Sequence, residues 1–336
     1  MTNAILITLA FLLALALSLY FVPVMRRAAI KWGVLDKPDG RLKKQREPVP
    51  YLGGIAVYIA FLLSISLLYD YSPQVIGLLL AGTIMLLIGL VDDFGVLLPY
   101  QKLAGQILAT FVLIKAGIYI RIEAFPLWVA MPLTVVWMLG VINAVNIIDI
   151  ADGLSSGVGL VAALALMAVA ILNGNVTIAF LTAALAGSIL GFLAYNFHPA
   201  KIYLGDAGSL FIGLMLGALS MVGDYSLNNP LAYIAPALIL GVPLFDTAFV
   251  MLMRAKKGLP VFLGSPDHFA IRLMRKRHWS ARRVAIASYV VSAILGGLAI
   301  LNMRFTPEFS LALAGVLAIG VVAATIWFNG MDRDES

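Results

Sequence analysis

QVIGLLLAGTIMLLIGLVDDFG, residues 74–95, is an apolar run of bilayer-spanning length that ends in two adjacent aspartates. Crossing roughly 30 Å of hydrocarbon takes about 20 mostly apolar residues. This run carries no charge before Asp92, so it predicts a transmembrane helix with its acidic end at a membrane surface. Comparable runs recur on both sides of it, near 4–25, 51–69, 74–91, 101–120, 125–142, 156–172, 176–195, 208–223, 231–253, 283–303 and 309–328. They follow one another too closely to leave room for a soluble domain. With 336 residues, 62% hydrophobic and 12% charged, and a mean hydropathy of +1.00, the chain is expected to be one all-α integral membrane domain over 1–336. About eleven helices are expected, a count that ten also fits.

Orientation follows from the basic residues, which stay preferentially in cytoplasmic loops. Eight fall in 26–50 (Arg26, Arg27, Lys31, Lys37, Arg41, Lys43, Lys44, Arg46) and nine in 254–283. Lys102, Lys201 and Arg333 join them, making twenty of the 23, whereas Lys115, Arg121 and Arg304 fall opposite. The expected topology therefore puts the N-terminus outside and the C-terminus in the cytoplasm. The cytoplasmic loops would be 26–50, 92–100, 143–155, 196–207 and 254–282. Contact with anionic lipid heads accounts for the net charge of +6 without nucleic acid. The first span has no basic n-region and no small-residue cleavage site, so it is expected to be retained. The lack of cysteine excludes disulfides and thiolate metal sites.

Five aspartates then fall on the cytoplasmic side: Asp92 and Asp93 after the third span, Asp149 and Asp152 after the fifth, and Asp206 before the eighth. Adjacent carboxylates at a helix C-terminus repel each other unless a cation or proton intervenes. Mg²⁺, with Mn²⁺ as a substitute, suits such a site because it takes a few carboxylates plus water and phosphate oxygens. A wet helix end would explain the pair as well. In GDAGS, Asp206 is expected to act as N-cap with Ser209 helping the first turn. The free N–H groups at Ala207, Gly208 and Ser209 would then welcome a phosphate. Asn143, Asn146, Asp149 and Asp152 recur at three-residue intervals, close enough to helical spacing to share a face that would bind a nucleobase and ribose. Lys102 would reach a lipid phosphate or merely snorkel to the headgroups. Asp246 lies inside the ninth span, with Arg254 two turns on as its expected partner.

Taken together, DKPDG and EPVPYLGG in 36–54, DDFGVLLPYQK, NAVNIIDIADGL, NFHPAKIYLGDAGS and PLFD resemble the polyprenyl-phosphate N-acetylhexosamine-1-phosphate transferases of glycosyltransferase family 4. The likeness runs to about residue 250, and five motifs in family order make it specific. It implies helices around a cytoplasmic cleft in the bacterial inner membrane, with Mg²⁺ bridging the pyrophosphate of a UDP-HexNAc, most simply UDP-GlcNAc. HexNAc-1-phosphate would pass to undecaprenyl or another polyprenyl phosphate, releasing UMP, as the first membrane step of a cell-surface glycan. A homodimer is compatible with it. By this resemblance Asp92 and Asp93 handle the lipid phosphate and share the metal with Asp206, and Lys102 binds the lipid phosphate. Asn146, Asp149 and Asp152 lie on the nucleotide side, and Asn196 and Tyr203 contact uracil.

The sequence departs from the family near its end. In GSPDHFAIRLMRKRHWS, His268 matches the first histidine of the family's cluster, but Ala270 and Ile271 hold the later positions. This stretch is expected to form a helix on the membrane surface, with Ser265 as N-cap, Pro266 at N1, and Phe269 and Leu273 on one face above a basic one. His268 either reads the sugar or anchors the loop; His198 and His278 are expected to be structural or interfacial. Gln45 takes the place of a first-loop histidine. Two other classes use some of the same features: an Mg²⁺-dependent membrane prenyltransferase, and a secondary transporter. GDAGS and the asparagines speak against the first. Polar groups crowded on one side rather than at the midplane speak against the second.

Overall fold

Each of the eleven apolar stretches contains a helix, because runs this hydrophobic can satisfy their backbone polar groups in a bilayer only internally. The computed structural model describes residues 2–36, 48–69, 71–122, 125–226, 229–260 and 265–331. The basic loop positions Lys37, Arg41, Lys43, Lys44 and Arg46, together with Gln45 and Arg333, lie outside them. In chain order the helices are α1 (Asn3–Trp32), α2 (Gly53–Leu68), α3 (Pro73–Asp93), α4 (Pro99–Lys115), α5 (Leu127–Ile147), α6 (Leu154–Leu172) and α7 (Val176–Asn196). There follow α8 (Gly205–Met221), α9 (Ala235–Ile239), α10 (Gly241–Lys256), α11 (Phe269–Lys276), α12 (Ala281–Asn302) and α13 (Pro307–Gly330). Two short strands of two residues each, β1 (Leu35–Asp36) and β2 (Val49–Pro50), pair antiparallel at the two ends of the first loop.

Among the described residues seven helices, α1, α3, α5, α6, α7, α12 and α13, are long and apolar enough to cross a membrane. The segment 232–239 and α10, which meet at a 74° bend, make up to eight if they form one span, and α2 and α8 are shorter apolar helices. The chain is thus an all-α multi-pass membrane protein. Start signals are local: Pro73, Pro99 and Pro307 sit in first turns, and the side chains of Ser72, Asn175 and Ser280 cap α3, α7 and α12. α13 shows Leu311, Val316, Ile319, Val322 and Ile326 on its surface, as a lipid-facing helix should.

The core sits around α8, whose residues from Ala207 to Ser220 are all buried. Phe211 of α8 meets Tyr58 and Phe61 of α2 edge-on at 5.3 and 5.6 Å. Glycines let the backbones approach. A Cβ on Gly54 of α2 would lie 2.2 Å from the Gly208 nitrogen, and one on Gly89 of α3 would lie 2.4 Å from the Asp206 carbonyl oxygen. These contacts press the last turn of α3 and the first turn of α2 onto the start of α8. α3 and α5 end where α4, α6 and α8 begin, as the contacts of Asp92 and Asn146 with Lys102, of Val145 with Ser155, and of Asp93 and Asn146 with Asp206 show. All five aspartates therefore share one end of the bundle.

Two expectations are corrected. α5 runs past residue 142 to Ile147, because nothing in VINAVNI breaks a helix, so Asn143 and Asn146 stand on a helix while Asp149 and Asp152 follow it. The late helix begins at Phe269 with His268 at its N-cap, not at Ser265. The Ser265 hydroxyl is instead taken by Asp267, donating to its carboxylate at 3.0 Å and accepting from its N–H at 3.2 Å. Phe269 and Leu273 do share a buried face. Not all of the helix's basic residues stand above that face, since Arg272 is buried with it at 0% exposure. Arg272 donates to Asp267 at 2.9 Å and to the Phe328 carbonyl of α13 at 2.8 Å.

Candidate active site

The acidic end of α3 is tied directly to the start of α8. Asp93 accepts the backbone N–H of Asp206 at 2.7 Å and of Ala207 at 3.2 Å. Its carboxylate thus serves as the cap of another helix, where the unpaired N–H groups and the dipole favour an anion. Gly205 (φ +74°) leaves room for it, because a Cβ there would come within 2.7 Å of Asp93 Oδ2. This corrects the expectation for GDAGS: Asp206 lies inside the first turn, not at the N-cap, and the Ala207 N–H already has a carboxylate partner. Gly208 faces Gly54, so its smallness serves helix packing.

Asp206 is then free to point its side chain toward α4 and α5. Asn146 donates to Asp206 Oδ1 at 2.5 Å and to Ser209 Oγ at 2.9 Å. Lys102, in the first turn of α4, places its Nζ 2.6 Å from Asp92 Oδ2, 3.4 Å from Asp206 Oδ2 and 3.1 Å from Asn146 Oδ1. Four helix ends thereby meet at one ammonium. One turn further in, Gln106 of α4 and Asn143 of α5 exchange hydrogen bonds at 3.1 and 2.8 Å. Asn143 therefore holds α4 to α5, through a partner that the sequence reading missed. Gln106 could have been noticed as a buried amide four residues after Lys102 in an apolar helix.

The oxygens around Lys102 fit a hard divalent cation. Two carboxylates and one amide oxygen are the donor class Mg²⁺ prefers, and the ammonium stands in for positive charge at their focus. Among the described residues no three His, Asp or Glu side chains form a cation site by themselves. The remaining positions would fall to water and phosphate oxygens, as is usual for this ion.

Asp149 and Asp152 lie on the other side of Asp206. Burial, then the charges of Asp206, Asp93 and Asp152, push the Asp149 carboxyl up to about 8. Asp152 accepts from His198 Nδ1 at 2.7 Å and from the Ala200 N–H at 3.0 Å. It faces the 198–200 loop rather than sharing a face with Asn143. Tyr203 lies within the field of this group: burial, then the charges of Asp152, Asp36 and Asp149, push its hydroxyl up to about 12. Asn196 is buried and holds loops together, donating to the Ile202 carbonyl and accepting from Gly153 N–H and Ser156 Oγ. From α12, Tyr289 donates to the Gly153 carbonyl at 2.5 Å, and Arg282 stacks on Phe197 at 5.8 Å. Tyr51 donates to the Asp93 carbonyl at 3.1 Å. Tyr51 appears in the sequence reading only as part of EPVPYLGG, and Arg282 and Tyr289 do not stand out, since each matters through a residue far along the chain.

Asp246 and His268 form a separate buried cluster. Asp246, 0% exposed, accepts from Phe269 N–H at 3.1 Å and pairs with His268 Nδ1 at 2.6 Å. Arg254, its expected partner, donates Nε to the Pro260 carbonyl at 2.6 Å. The pair pins α11 to α10, and α11 in turn packs in one apolar cluster with Ile148, Ile150 and Ala151 beside Asp149. Nearby, burial opposes ionisation of Asp267, but hydrogen bonds from Lys257 and Ser265 and the charges of Lys257 and Arg272 hold its carboxyl below the usual range. At the opposite end of the bundle a cavity of about 800 Å³ is lined by Arg121, Trp137, Asp224 and Tyr233. Among the described residues it contains none of the converging groups, and a single carboxylate in mostly apolar walls gives it no comparable chemistry.

The model of glycosyl transferase family 4 matches residues 75–224, the stretch that contains Asp92 through Ser209. A probable undecaprenyl-phosphate N-acetylglucosaminyl 1-phosphate transferase of Bacillus subtilis is 32% identical over 322 residues, covering 93% of this chain and 89% of that protein. A decaprenyl-phosphate N-acetylglucosaminephosphotransferase of Mycolicibacterium smegmatis is 31% identical over 340 residues, covering 90% and 83%. A phospho-N-acetylmuramoyl-pentapeptide-transferase of Heliobacterium modesticaldum is 30% identical over 326 residues, covering 88% and 98%.

Proposed function

Because this chain belongs to glycosyl transferase family 4, we propose that it transfers N-acetylglucosamine-1-phosphate from UDP-GlcNAc to a polyprenyl phosphate such as undecaprenyl phosphate, releasing UMP. The observation that carries this is the meeting of Asp92, Lys102, Asn146 and Asp206 at one point. A phosphoryl acceptor and a diphosphate donor, both anionic, need such a place, where positive charge is held by oxygens that do not themselves react. The reported relatives are phosphotransferases, not transporters or prenyltransferases.

An oxygen of the acceptor phosphate forms the new bond to the β-phosphorus. The bond from that phosphorus to the bridging oxygen breaks, and UMP leaves with the electron pair. The acceptor phosphate has a second pKa near 6 and is largely a dianion at neutral pH, so positioning and charge stabilisation dominate over proton removal. Asp92, Asp206 and Asn146 would hold Mg²⁺, or Mn²⁺, which neutralises the diphosphate and the departing UMP when bound. Asp93 acts from behind, fixing the start of α8 so that Asp206 faces Lys102. Tyr203, Asp149 and Asp152 form the wall we assign to the uridine. Lys102 and the exposed apolar residues next to it, Val96, Leu98, Tyr100 and Leu103, form the side we assign to the lipid.

We assign this end to the cytoplasmic side of a bacterial inner membrane, a reading supported by its basic residues, including Arg26, Arg27, Lys31 and Lys201, through the loop-charge rule. Purified protein incubated with Mg²⁺, undecaprenyl phosphate and a panel of UDP-sugars should release UMP with UDP-GlcNAc. Release of UDP, or of nothing with any UDP-HexNAc, would refute the proposal.

A further inference from the structure

Lys102 occupies the oxygens that a divalent cation would need. Its Nζ lies 2.6, 3.4 and 3.1 Å from Asp92 Oδ2, Asp206 Oδ2 and Asn146 Oδ1. Mg²⁺ binds such oxygens at about 2.0–2.1 Å, inside that shell, and an ammonium keeping all three contacts would sit beside it as a like charge. We infer that Lys102 and the divalent cation take the Asp92–Asp206–Asn146 cradle by turns, so that loading the cradle sends the Lys102 ammonium out to the acceptor phosphate. This rests on the phosphotransferase reading above.

The surroundings allow this movement and give it a direction. α4 is held in place one turn deeper by the paired amides of Gln106 and Asn143, so the side chain can move while the helix stays. Four methylenes give the ammonium reach. The Lys102 side chain is 18% exposed, and the segment that leads into its helix turn carries Val96, Leu98 and Tyr100, all exposed apolar residues. An ammonium leaving the cradle thus arrives beside a surface suited to a prenyl chain. The donor's cation and the acceptor's cation become linked: binding of the first prepares the second.

Two readouts test this on the purified full-length protein: Mn²⁺ binding followed by electron paramagnetic resonance, and the acylation rate of individual lysines followed by mass spectrometry. Lys102→Gln is expected to bind Mn²⁺ about tenfold more tightly than the unaltered chain, a coupling of ordinary size. Saturating Mn²⁺ is expected to raise acylation of Lys102 several-fold while leaving Lys115, at the far end of α4, unchanged. Loss of a positive charge alone could tighten Mn²⁺ binding in Lys102→Gln, so the labelling decides. Mn²⁺ binding without a change in Lys102 acylation overturns the alternation and leaves the cation assignment standing. No Mn²⁺ binding to either protein overturns both.

Discussion

Asp206→Asn is expected to lower transfer of N-acetylglucosamine-1-phosphate by on the order of a thousandfold, the scale seen when a charge-stabilising group is removed from a reacting centre. The same change should cost only a small part of the thermal stability. An amide of the same size gives up the ion pair with Lys102, but it also relieves the repulsion from Asp92, Asp93 and Asp149 and can still accept from Asn146. The backbone N–H of residue 206 still reaches Asp93, so the start of α8 keeps its cap. Activity and stability are therefore expected to move apart. Turnover and a detergent melting curve on one preparation check this. Near-normal turnover would remove Asp206 from the reacting centre, and loss of folding would make it a structural residue.

Gly89→Ala is expected to have the second largest effect, although Gly89 touches no substrate. The added methyl would lie 2.4 Å from the Asp206 carbonyl oxygen and 2.5 Å from the Ala207 Cα and nitrogen, all of them backbone atoms that no rotamer change can move. The start of α8 must shift away from α3, at a cost of about 1–3 kcal/mol for overpacking. Displacement by about 1 Å at a reacting centre can cost a hundredfold in rate, so turnover should fall by roughly that factor. Gly320→Ala gives the contrast. Nothing lies within 4 Å of the corresponding position on α13, and alanine is the better helix former by up to about 1 kcal/mol. The Gly89 variant should melt lower than the parent, and the Gly320 variant should melt at the same temperature or higher. Equal melting and turnover for both would show that the α3–α8 contact is looser than the structure has it.

The fold was largely legible in the sequence because a bilayer leaves an apolar run few options, and charge on an apolar chain collects at span ends. That is how Asp92, Asp93, Asp149, Asp152 and Asp206 were found together. What joins them was not legible. Asp93 caps a helix 113 residues further on, Gln106 pairs with Asn143 from the next helix, and Gly54 and Gly89 matter for the backbone they face. Each depends on which helices are neighbours, and composition and periodicity do not encode that. GDAGS misled for a related reason: an acidic residue at a helix start reads as a local cap, yet the cap comes from a distant carboxylate and releases Asp206 for the site. In the same way Asp246 was matched to Arg254 along its own helix, when its partners, His268 and Phe269, arrive on another.

The central claim is that phosphorus moves with the sugar, and the fate of the β-phosphate tests it most directly. UDP-GlcNAc carrying ³²P in the β position is incubated with the purified protein, Mg²⁺ and undecaprenyl phosphate, and the label is followed into the lipid and nucleotide fractions. The account predicts label in a lipid diphosphate bearing N-acetylglucosamine, with unlabelled UMP released. Label retained in released UDP would mean that the sugar alone is transferred, and would contradict it.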